Sequence, residues 1–474
     1  MTLQKQIFVF YFCYLFLSSL LSAQTSDFVI IEKITITGRK KTKESVILRE
    51  LDFKIGDTLR NAMMKERFDQ NKEMLMNTSL FRSAEINIGT WNYDTKKVEI
   101  IIKLSENWYI FPYAYATLGD RNFNVWWYEK KHDLKRLNYS FGLSWNNLTG
   151  YRDILRLNAE LGFQRRMDID YKIPGINRSR TLGLHFKGLY SQAREVWYIT
   201  EKDKIQFIRE EKDSGLKRIN ANIGLSYRPQ LRYWHTLQLG YYDNTISDNI
   251  AKTLNPNFFL QERNNQRFFN LSYKFTRDWR NNKFYPEKGH FLTFMLEKEG
   301  VFSKKEDVQS LYSTLLFAKF ISLRSNKLTY EGILKVRREL TGNRQPYYNT
   351  RALGYSNDYL RGFEYYVADG TAYAYLKNSI RILLYDKEIK LEEDYVPKAF
   401  RYNPIKIWLT INNDLGYAQN KFNLTTNQLP NRLLWGRGIG LNIMALQTTY
   451  FQLEISQNYF NKIGFFLHTK RALE

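Results

Sequence analysis

Apolar and polar residues alternate along most of this chain, one segment after another. In the first such segment Leu137, Tyr139 and Phe141 lie between the polar residues Asn138 and Ser140. A period of two places neighbouring side chains on opposite faces of a β-strand, so each segment predicts a strand with one apolar and one polar face. The same alternation predicts strands at 137–146, 155–163, 219–227, 269–276 and 451–456.

A soluble β-sandwich also alternates, and three features favour a transmembrane β-barrel instead. The segments are about 10 residues or longer, the length of a membrane-spanning strand, whereas soluble strands average about 5–6 residues. Their polar faces carry charges such as Arg156 and Glu160, which suit a water-filled lumen. Short connections, as at 146–153, alternate with long ones, as at 195–215. Outer-membrane barrels show the same asymmetry between their two ends.

We therefore predict a mainly β protein whose residues 108–474 form a closed antiparallel barrel. Between Tyr109 and Lys470 the pattern fits about sixteen strands, an even number as in bacterial barrels. The predicted lipid-facing side chains are Tyr139, Phe141, Leu157, Tyr227, Leu271 and Leu453, and the predicted lumenal ones are Asn138, Arg156, Asn222 and Glu454.

Residues 27–107 follow a different pattern and predict a small α+β domain. Val29 and Ile31 belong to a first strand, and Thr42 is the predicted N-cap of a helix. A second helix places Met64 and Leu75 on its inner face. Strands at 84–88 and 98–104 complete the order β-α-α-β-β.

The first 23 residues predict a secretory signal peptide. Lys5 precedes an apolar run at 7–17, and small residues lead to a cleavage site after Ala23. The run is shorter than the roughly 20 residues that a membrane-spanning helix needs. Because the only cysteine, Cys13, is removed with this segment, we expect an exported chain without disulfides.

Composition and charge agree with a membrane setting. Aromatic residues make up 16% of the chain although its mean hydropathy is −0.50, and barrels use such rings at the lipid surface. The net charge is +23. An exported barrel does not meet genomic DNA, so we expect no nucleic-acid partner and predict anionic lipid headgroups as counterions. The predicted solvated charges at the barrel rim are Lys135, Arg136, Lys217 and Arg218.

A pentapeptide late in the chain, Leu360 to Glu364, lies in a long connection rich in Gly, Tyr and Asn. It resembles the signature of the sixth external loop of BamA/TamA-type outer-membrane assembly proteins. Four N-terminal segments resemble, in order, the POTRA domain, which is the periplasmic module of that family: 35–38, 48–51, 55–57 and 80–84. Further resemblances to the family barrel lie at 146–150, 276–280, 285–289 and 413–416.

The resemblance implies that the sixth loop folds into the lumen, where its arginine meets acidic groups on the inner wall. In this chain the arginine is Arg361 and the expected partner is Asp414; Gly362 lets the backbone bend and Phe363 packs against the wall. The pairing is physically reasonable because an unpaired buried charge is costly. Residues 377–381 hold no acid where the family often has a glutamate, which leaves a second acidic partner open.

Catalytic motifs are missing from the sequence. There is no Gly-x-Ser-x-Gly, no His-Glu-x-x-His and no phosphate-binding loop, and the 5 histidines occur singly. We therefore expect no enzyme activity, no cofactor and no bound metal.

By strand parity, residues 386–403 fall on the periplasmic side, where turns should be short. Because this stretch is long and charged, we predict a periplasmic docking element that keeps Glu392 away from the cell exterior.

Two classes of function remain open. An assembly factor would capture unfolded outer-membrane proteins by adding their strands to the edge of the POTRA sheet, and would open its barrel between the first and last strands. Periplasmic or lipoprotein partners would fit this reading. The alternative is protein export resembling two-partner secretion, or a passive transport pore. The predicted seam residues are Tyr109, Tyr113 and Tyr115 on the first strand, and Gly464, Phe465 and Phe466 on the last.

Overall fold

The computed structural model describes residues 28–119, 125–210, 215–303, 306–323, 327–356, 358–390, 402–422, 424–445 and 449–470. The predicted signal peptide, residues 1–23 with Cys13, lies outside these residues, as does Glu392. Two units follow one another in the chain: a four-stranded sheet with two helices, then a sixteen-stranded sheet.

The N-terminal unit consists of β1 (Phe28–Thr37), α1 (Glu44–Arg49), β2 (Thr58–Arg60), α2 (Asn61–Met76), β3 (Phe81–Asn92) and β4 (Lys97–Glu106). Its strand order is β2-β1-β4-β3, with β1 parallel to β4. Ile31, Ile47 and Leu75 are fully buried where the helices meet the sheet. The predicted α+β fold is confirmed, with β2 as an added strand. Sequence patterning does not reveal β2 because three residues are too few to show a period.

The predicted helix cap at Thr42 is wrong. The N-cap position of α1 is Lys43, and no side chain caps the helix. The Thr42 hydroxyl instead shares a 3.0 Å hydrogen bond with the Tyr109 hydroxyl and accepts one from Asn147 Nδ2 at 3.0 Å. Thr42 and Asn147 are both buried, so their polar atoms bond to each other across the two units. A tertiary contact therefore takes the oxygen that a local cap would use.

In chain order the remaining strands are β5 (Ile110–Leu118), β6 (Leu137–Asn146), β7 (Ile154–Gly162), β8 (Gln164–Ile173), β9 (Leu182–Ala193), β10 (Glu195–Glu201), β11 (Lys204–Arg209), β12 (Leu216–Tyr227), β13 (Tyr233–Ile246), β14 (Asn265–Asp278), β15 (Gly289–Glu299), β16 (Ser310–Leu323), β17 (Leu328–Glu339), β18 (Arg351–Leu353), β19 (Ala368–Asp369), β20 (Ala372–Lys390), β21 (Tyr402–Gln419), β22 (Leu433–Ala445), β23 (Thr449–Asn458) and β24 (Ile463–Lys470).

Sixteen of these strands form one antiparallel sheet in which every strand pairs with its neighbours along the chain. The pairs β10-β11 and β18-β19 are separate small sheets in the long connections. Short helical segments lie in other connections: π-helices at Val125–Glu129 and Asn249–Leu254, and 3-10 helices at Leu134–Arg136 and Tyr347–Asn349.

Side-chain exposure follows the predicted alternation. Tyr139, Phe141 and Leu157 are 49%, 53% and 39% exposed, whereas Asn138 and Glu454 are each 1% exposed. Apolar side chains therefore cover the outside of the sheet and polar ones line its inside, as a barrel in lipid requires. Tyr227 and Leu271 are likewise exposed, while Leu453, Arg156 and Asn222 are half-buried.

One of the predicted rim charges is in fact buried. Arg136 is 9% exposed and donates through both terminal nitrogens to Glu195, with distances of 2.6 Å. Its guanidinium also lies 4.5 Å from the centre of the Phe163 ring. The carboxylate comes from the start of β10, and strand-end position alone does not reveal such a partner. Lys135 and Lys217 are exposed, as predicted, and Arg218 is half-buried.

The first and last strands, β5 and β24, form the two ends of the sheet. Among the described residues no backbone ladder joins them. They are 9 and 8 residues long, whereas β20 has 19. Short terminal strands leave few backbone groups that could pair across this seam.

Both ends of the stretch from 386 to 403 belong to paired strands and not to a loop. β20 and β21 remain paired as far as Lys390 and Tyr402, and Asp386 forms a 3.0 Å ion pair with its cross-strand neighbour Lys406. Opposite charges that face each other across two strands support the pairing. The tip, residues 391–401, lies outside the described residues, and its docking role remains a prediction.

A buried acid connects the N-terminal unit to the barrel. Glu50, just after α1, accepts hydrogen bonds from Arg228 at 2.5 and 2.8 Å and from Arg152 at 2.8 Å. Both arginines lie in short turns of the barrel, after β12 and after β6. Burial alone would raise the pKa of Glu50, but the charges of Arg228 and Arg152 outweigh it and lower the pKa to about 2. Glu50 is therefore ionised at neutral pH and holds two turns at once.

Candidate functional site: the lumenal loop and the seam

The connection between β17 and β20, residues 340–371, runs back into the barrel and is called the lumenal loop below. Leu360, Arg361, Phe363 and Glu364 are between 1% and 5% exposed. The amide of Phe363 donates to the Leu360 carbonyl at 3.0 Å, which closes a tight turn at Arg361 and Gly362. The pentapeptide singled out in the sequence is therefore a buried turn inside the barrel.

Arg361 is held by two carboxylates of the barrel wall. Its Nη1 donates to Asp414 Oδ1 at 2.5 Å and its Nε donates to Glu454 Oε2 at 3.1 Å. The backbone amide of Arg361 adds a bond to Asp414 Oδ2 at 3.1 Å, and Nη2 reaches Ser379 Oγ at 3.2 Å. Asp414 is 0% exposed and Glu454 is 1% exposed. Such a charge cluster is stable only while the arginine is in place.

The structure brings Arg361 and Asp414 together, as the resemblance implied, and it supplies the second acid that was left open. That acid lies on β23, at Glu454, and not on β20, where residues 377–381 offer Ser379. Sequence reasoning placed Glu454 in the lumen but not beside Arg361. The two residues are 93 positions apart, and only the register of the intervening strands brings them into contact.

Glycines on both sides make room for the turn. Gly362 has φ of +80°, and a Cβ there would lie 2.7 Å from the Asn458 amide nitrogen. On the wall, a Cβ on Gly436 would collide with the Arg361 carbonyl, and one on Gly416 would collide with the Leu360 side chain. Asn458 Nδ2 donates to the Gly362 carbonyl at 2.8 Å. The loop backbone thus lies directly against β21, β22 and β23, where larger residues do not fit.

A second anchor holds the loop before the turn. Asp358 accepts hydrogen bonds from Lys335 Nζ at 2.7 and 2.8 Å, from the Tyr373 hydroxyl at 2.7 Å and from the Tyr375 hydroxyl at 3.1 Å. Lys335 belongs to β17 and the tyrosines belong to β20. The loop is therefore attached to wall strands on both sides, and no local sequence pattern predicts this contact.

The last strand contacts the loop through side chains. Phe466 is 2% exposed and packs against Tyr365, with ring centres 5.5 Å apart. His468 stacks on Tyr359 at 4.8 Å. A cavity of about 260 Å³ lies between Gly464 and this part of the loop. β24 is thus packed on the lumenal loop along the face that points into the barrel.

The predicted seam residues occupy different positions. Phe465 is 56% exposed on the outer face of β24, and Phe466 is buried on its inner face. Tyr113 and Tyr115 stack on each other at 5.5 Å and pair with Gly142 and Ser140. Their strand neighbours Ala114 and Ala116 pair with Phe141 and Tyr139 on the outer face, so the two tyrosines line the inner face.

The assignment of Tyr109 to the seam is wrong. Tyr109 precedes β5, is 8% exposed and packs in the core of the N-terminal unit. Its hydroxyl lies 3.0 Å from both Thr42 Oγ1 and the Leu80 carbonyl. Sequence parity treats it as a strand residue, but the side chain is drawn into the neighbouring core by these partners.

The hairpin formed by β10 and β11 packs against the lumenal loop on the side away from the N-terminal unit. The Val367 amide donates to the Asp203 carbonyl at 2.9 Å. Asn427, in the connection after β21, donates to the Thr200 carbonyl at 2.9 Å and accepts from the Asp203 amide at 2.9 Å. Thr200 and Asp203 are both buried by these contacts. The hairpin tip therefore fills the space between two connections at this end of the barrel.

In the part of the chain that the structure describes, no group of three His, Cys, Asp or Glu side chains is placed to hold a metal ion. The charged groups of the site pair with one another and hold the loop in place.

No helix among the described residues is long and apolar enough to cross a membrane.

Comparison with known proteins identifies both units. The POTRA family model, described as surface antigen variable number repeat, matches residues 29–107, and the Omp85 superfamily domain model matches residues 113–373. The second match alone spans more than half of the chain. None of the curated proteins that were compared matches the sequence.

Solved structures share the fold at low sequence identity. BamA from Haemophilus ducreyi, lacking POTRA domains 1–3, is 15% identical with a TM-score of 0.52, and the match covers 94% of this chain and 84% of that one. CdiB from Escherichia coli is 11% identical with a TM-score of 0.55, covering 93% and 75%. CdiB from Acinetobacter baumannii is 14% identical with a TM-score of 0.51, covering 94% and 73%.

Proposed function

The chain belongs to the Omp85 superfamily, and from that premise we propose that it assembles other outer-membrane proteins through the seam between β5 and β24. Family membership indicates the bacterial outer membrane, supports a role in protein insertion or secretion, and points to assembly or transport as the activity. In this proposal the POTRA domain lies in the periplasm and captures unfolded client strands, and the client's own burial in lipid supplies the free energy.

The observation that carries the proposal is that no backbone ladder joins β5 and β24 among the described residues. β5 and β24 stand at the two ends of the strand order, and a strand at the end of a sheet is a template for another strand. β24 is held on its inner face by Tyr359 and Tyr365 of the lumenal loop. Movement of that loop would release β24, and a client strand could then pair with it.

The ion cluster at Arg361 is the proposed lock of this mechanism. It fixes the turn that carries Phe363 and Tyr365 against β21, β22 and β23. With the lock closed, the loop supports β24 and the barrel is stable without a client. Gly362 and Phe363 belong to the lock because the first permits the turn and the second packs in the apolar cluster around Leu434 and Tyr373.

The POTRA sheet offers an edge for client capture. β3 has 12 residues and lies at the end of the strand order, with β4 as its one sheet neighbour among the described strands. The opposite edge strand, β2, has 3 residues. A long edge provides more backbone groups for strand addition, so β3 is the proposed capture surface.

A passive pore fits these contacts less well than assembly does. The lumenal loop and the β10-β11 hairpin pack together at one end, with buried polar contacts between Asp203, Val367 and Asn427. A permanent water-filled channel would leave such groups solvated. Export of a protein partner remains the second candidate, because the family includes secretion, and it requires these segments to move aside.

Photo-crosslinking at the seam tests the proposal. A benzophenone side chain in place of Phe465, exposed on β24, should crosslink newly made outer-membrane proteins during their insertion. The same group in place of Phe317, which is exposed on β16 on the far side of the sheet, should give no client adduct. Equal crosslinking at both positions would contradict the seam mechanism.

Depletion of the protein separates the two candidate functions. Assembly predicts that the amounts of several barrel proteins in the outer membrane fall together, because each needs insertion. Export predicts that a secreted protein accumulates in the periplasm while the barrel proteins keep their normal amounts. The second result would overturn the assembly proposal.

A further inference from the structure

A cavity of about 420 Å³ lies at the barrel end remote from the POTRA domain, where β17 ends, β20 begins and β21 ends. Arg338, Ala372 and Gln419 are register partners at this level. The lumenal loop and the connection after β21 complete the walls of the cavity. In the proposed orientation this end of the barrel faces the cell exterior, on the side of the outer leaflet.

Three basic residues line this cavity. Arg338, Arg344 and Lys421 all line it and all are exposed. None of the three forms an ion pair with a described residue, whereas many other basic groups of the chain do. The Arg344 guanidinium lies 4.9 Å from the centre of the Phe422 ring, so two separate connections meet here. The cavity therefore presents uncompensated positive charge.

The two acids in the cavity wall are already engaged and buried. Glu339 accepts backbone hydrogen bonds from Thr341 at 2.8 Å and from Gly342 at 2.7 Å. Asp369 accepts a hydrogen bond from the Tyr355 hydroxyl. Glu339 is 9% exposed and Asp369 is 6% exposed. Both carboxylates therefore bond to groups of the lumenal loop itself, and the basic groups of the lining are available to a ligand.

The remaining lining combines carboxamides with exposed apolar groups. Gln345 is 5% exposed, and its Oε1 has no hydrogen-bond partner among the described residues. A buried acceptor without a partner calls for a donor such as a hydroxyl or amide. Leu340 and Phe422 are 49% and 61% exposed. Arg338 lies two positions beyond the exposed Val336, on the outer face of β17, and Leu340 directly follows the end of that strand.

We propose that this cavity binds a phosphorylated glycolipid headgroup of the outer leaflet. Arg338, Arg344 and Lys421 would meet the phosphate, and the Gln345 carbonyl would accept from a sugar hydroxyl or amide. Leu340 and Phe422 would contact the first carbons of the acyl chains. Basic and aromatic side chains at strand ends suit this interfacial level of a membrane. The inference uses the orientation of the proposed function but does not require assembly activity.

Lipid binding to the purified full-length protein tests the inference. In phosphatidylcholine nanodiscs, retention of bisphosphorylated lipid A is compared with that of dephosphorylated lipid A and of phosphatidylglycerol. We expect the wild-type protein to prefer bisphosphorylated lipid A. The triple variant Arg338→Gln, Arg344→Gln, Lys421→Gln should bind it on the order of 100-fold more weakly, since each basic group near an anionic surface contributes about a factor of 5.

A matched triple variant controls for charge. Lys131, Lys217 and Lys252 are exposed at the same end of the barrel but do not line the cavity, and their replacement by glutamine should change binding by less than about twofold. Lys421→Gln alone should lower the affinity for bisphosphorylated lipid A by about fivefold. Because Lys421 lies on an exposed connection, this single variant replaces the triple variant if the latter does not fold.

Three results would overturn the inference: unchanged lipid A binding by Lys421→Gln and the triple variant, equal binding of the dephosphorylated lipid or phosphatidylglycerol, or displacement of lipid A by millimolar inorganic phosphate. Because no client is present, failure here leaves the assembly proposal intact. Equal crosslinking at Phe465 and Phe317 would contradict the seam mechanism and leave the lipid-binding result standing.

Discussion

Replacing Arg361 by alanine is expected to loosen the lumenal loop and lower assembly activity, while the barrel still inserts into the membrane. The change leaves Asp414 and Glu454 as neighbouring carboxylates that are 0% and 1% exposed. Removing one partner from a buried ion pair costs about 3–5 kcal/mol. Because the strands themselves are untouched, this cost should appear as protease cleavage within residues 340–371 and not as unfolding of the sheet.

A double-mutant cycle measures the lock directly. Asp414→Ala should cost less than Arg361→Ala because Arg361 keeps its bond to Glu454. The double variant should lose less than the sum of the two single losses, since the partners are in contact. Arg437→Ala is the control: Arg437 follows Gly436 on β22 but is exposed and bonds only to Gln457 in the described structure. If the losses of the two single variants simply add in the double variant, Arg361 is an ordinary loop residue and not a lock.

Glu50→Gln should release the POTRA domain from the barrel. Arg152 and Arg228 would lose their shared carboxylate, and their side chains are 21% and 11% exposed, so water compensates only in part. We expect the POTRA domain to lose about 3 kcal/mol of stability against urea. Distances between spin labels on α2 and on the β12-β13 turn should become broadly distributed. An unchanged, narrow distribution would contradict the role of Glu50.

The same contact predicts a pH dependence. The pKa of Glu50 in the folded protein is about 2, below its ordinary value of 4.5. A group with a lowered folded pKa contributes stability that is complete above its unfolded pKa. The POTRA–barrel contact should therefore be constant above about pH 4.5 and weaken as the pH falls toward 2. Glu44→Gln is the matched control, because Glu44 begins the helix that Glu50 follows, forms an exposed pair with Arg39 and should leave this profile unchanged.

The faces of the barrel could be predicted from sequence because the signal is local. Alternation at 137–146 defines which side chains share a face without knowledge of any partner strand, and the exposure of Tyr139 and Phe141 agrees with it. The Arg361–Asp414 contact cannot be predicted from such a local pattern. It followed from a family resemblance, which supplied the long-range pairing that composition and periodicity lack.

Other parts of the site depend on contacts that no local pattern encodes. Glu454 and Asp358 bind the lumenal loop because the strand register brings distant residues together. Gly436 matters because the Arg361 backbone carbonyl approaches it closely. The identity of that neighbour cannot be predicted from a glycine in a strand. Thr42 and Arg136 were misplaced for the same reason: each has a buried partner more than 50 positions away.

The central claim is that clients enter through the opening between β5 and β24, and a reversible tether across this seam tests it most directly. Cysteines in place of Ala114 and Phe465, on the outer faces of the two strands, would be joined by a short, reducible thiol crosslinker. The control pair replaces Leu315 and Val336, which face each other on β16 and β17 and are similarly exposed. We predict that client insertion stops when the seam is tethered, resumes after reduction and is unaffected by the control tether. Insertion at the normal rate with the seam tethered would contradict the account.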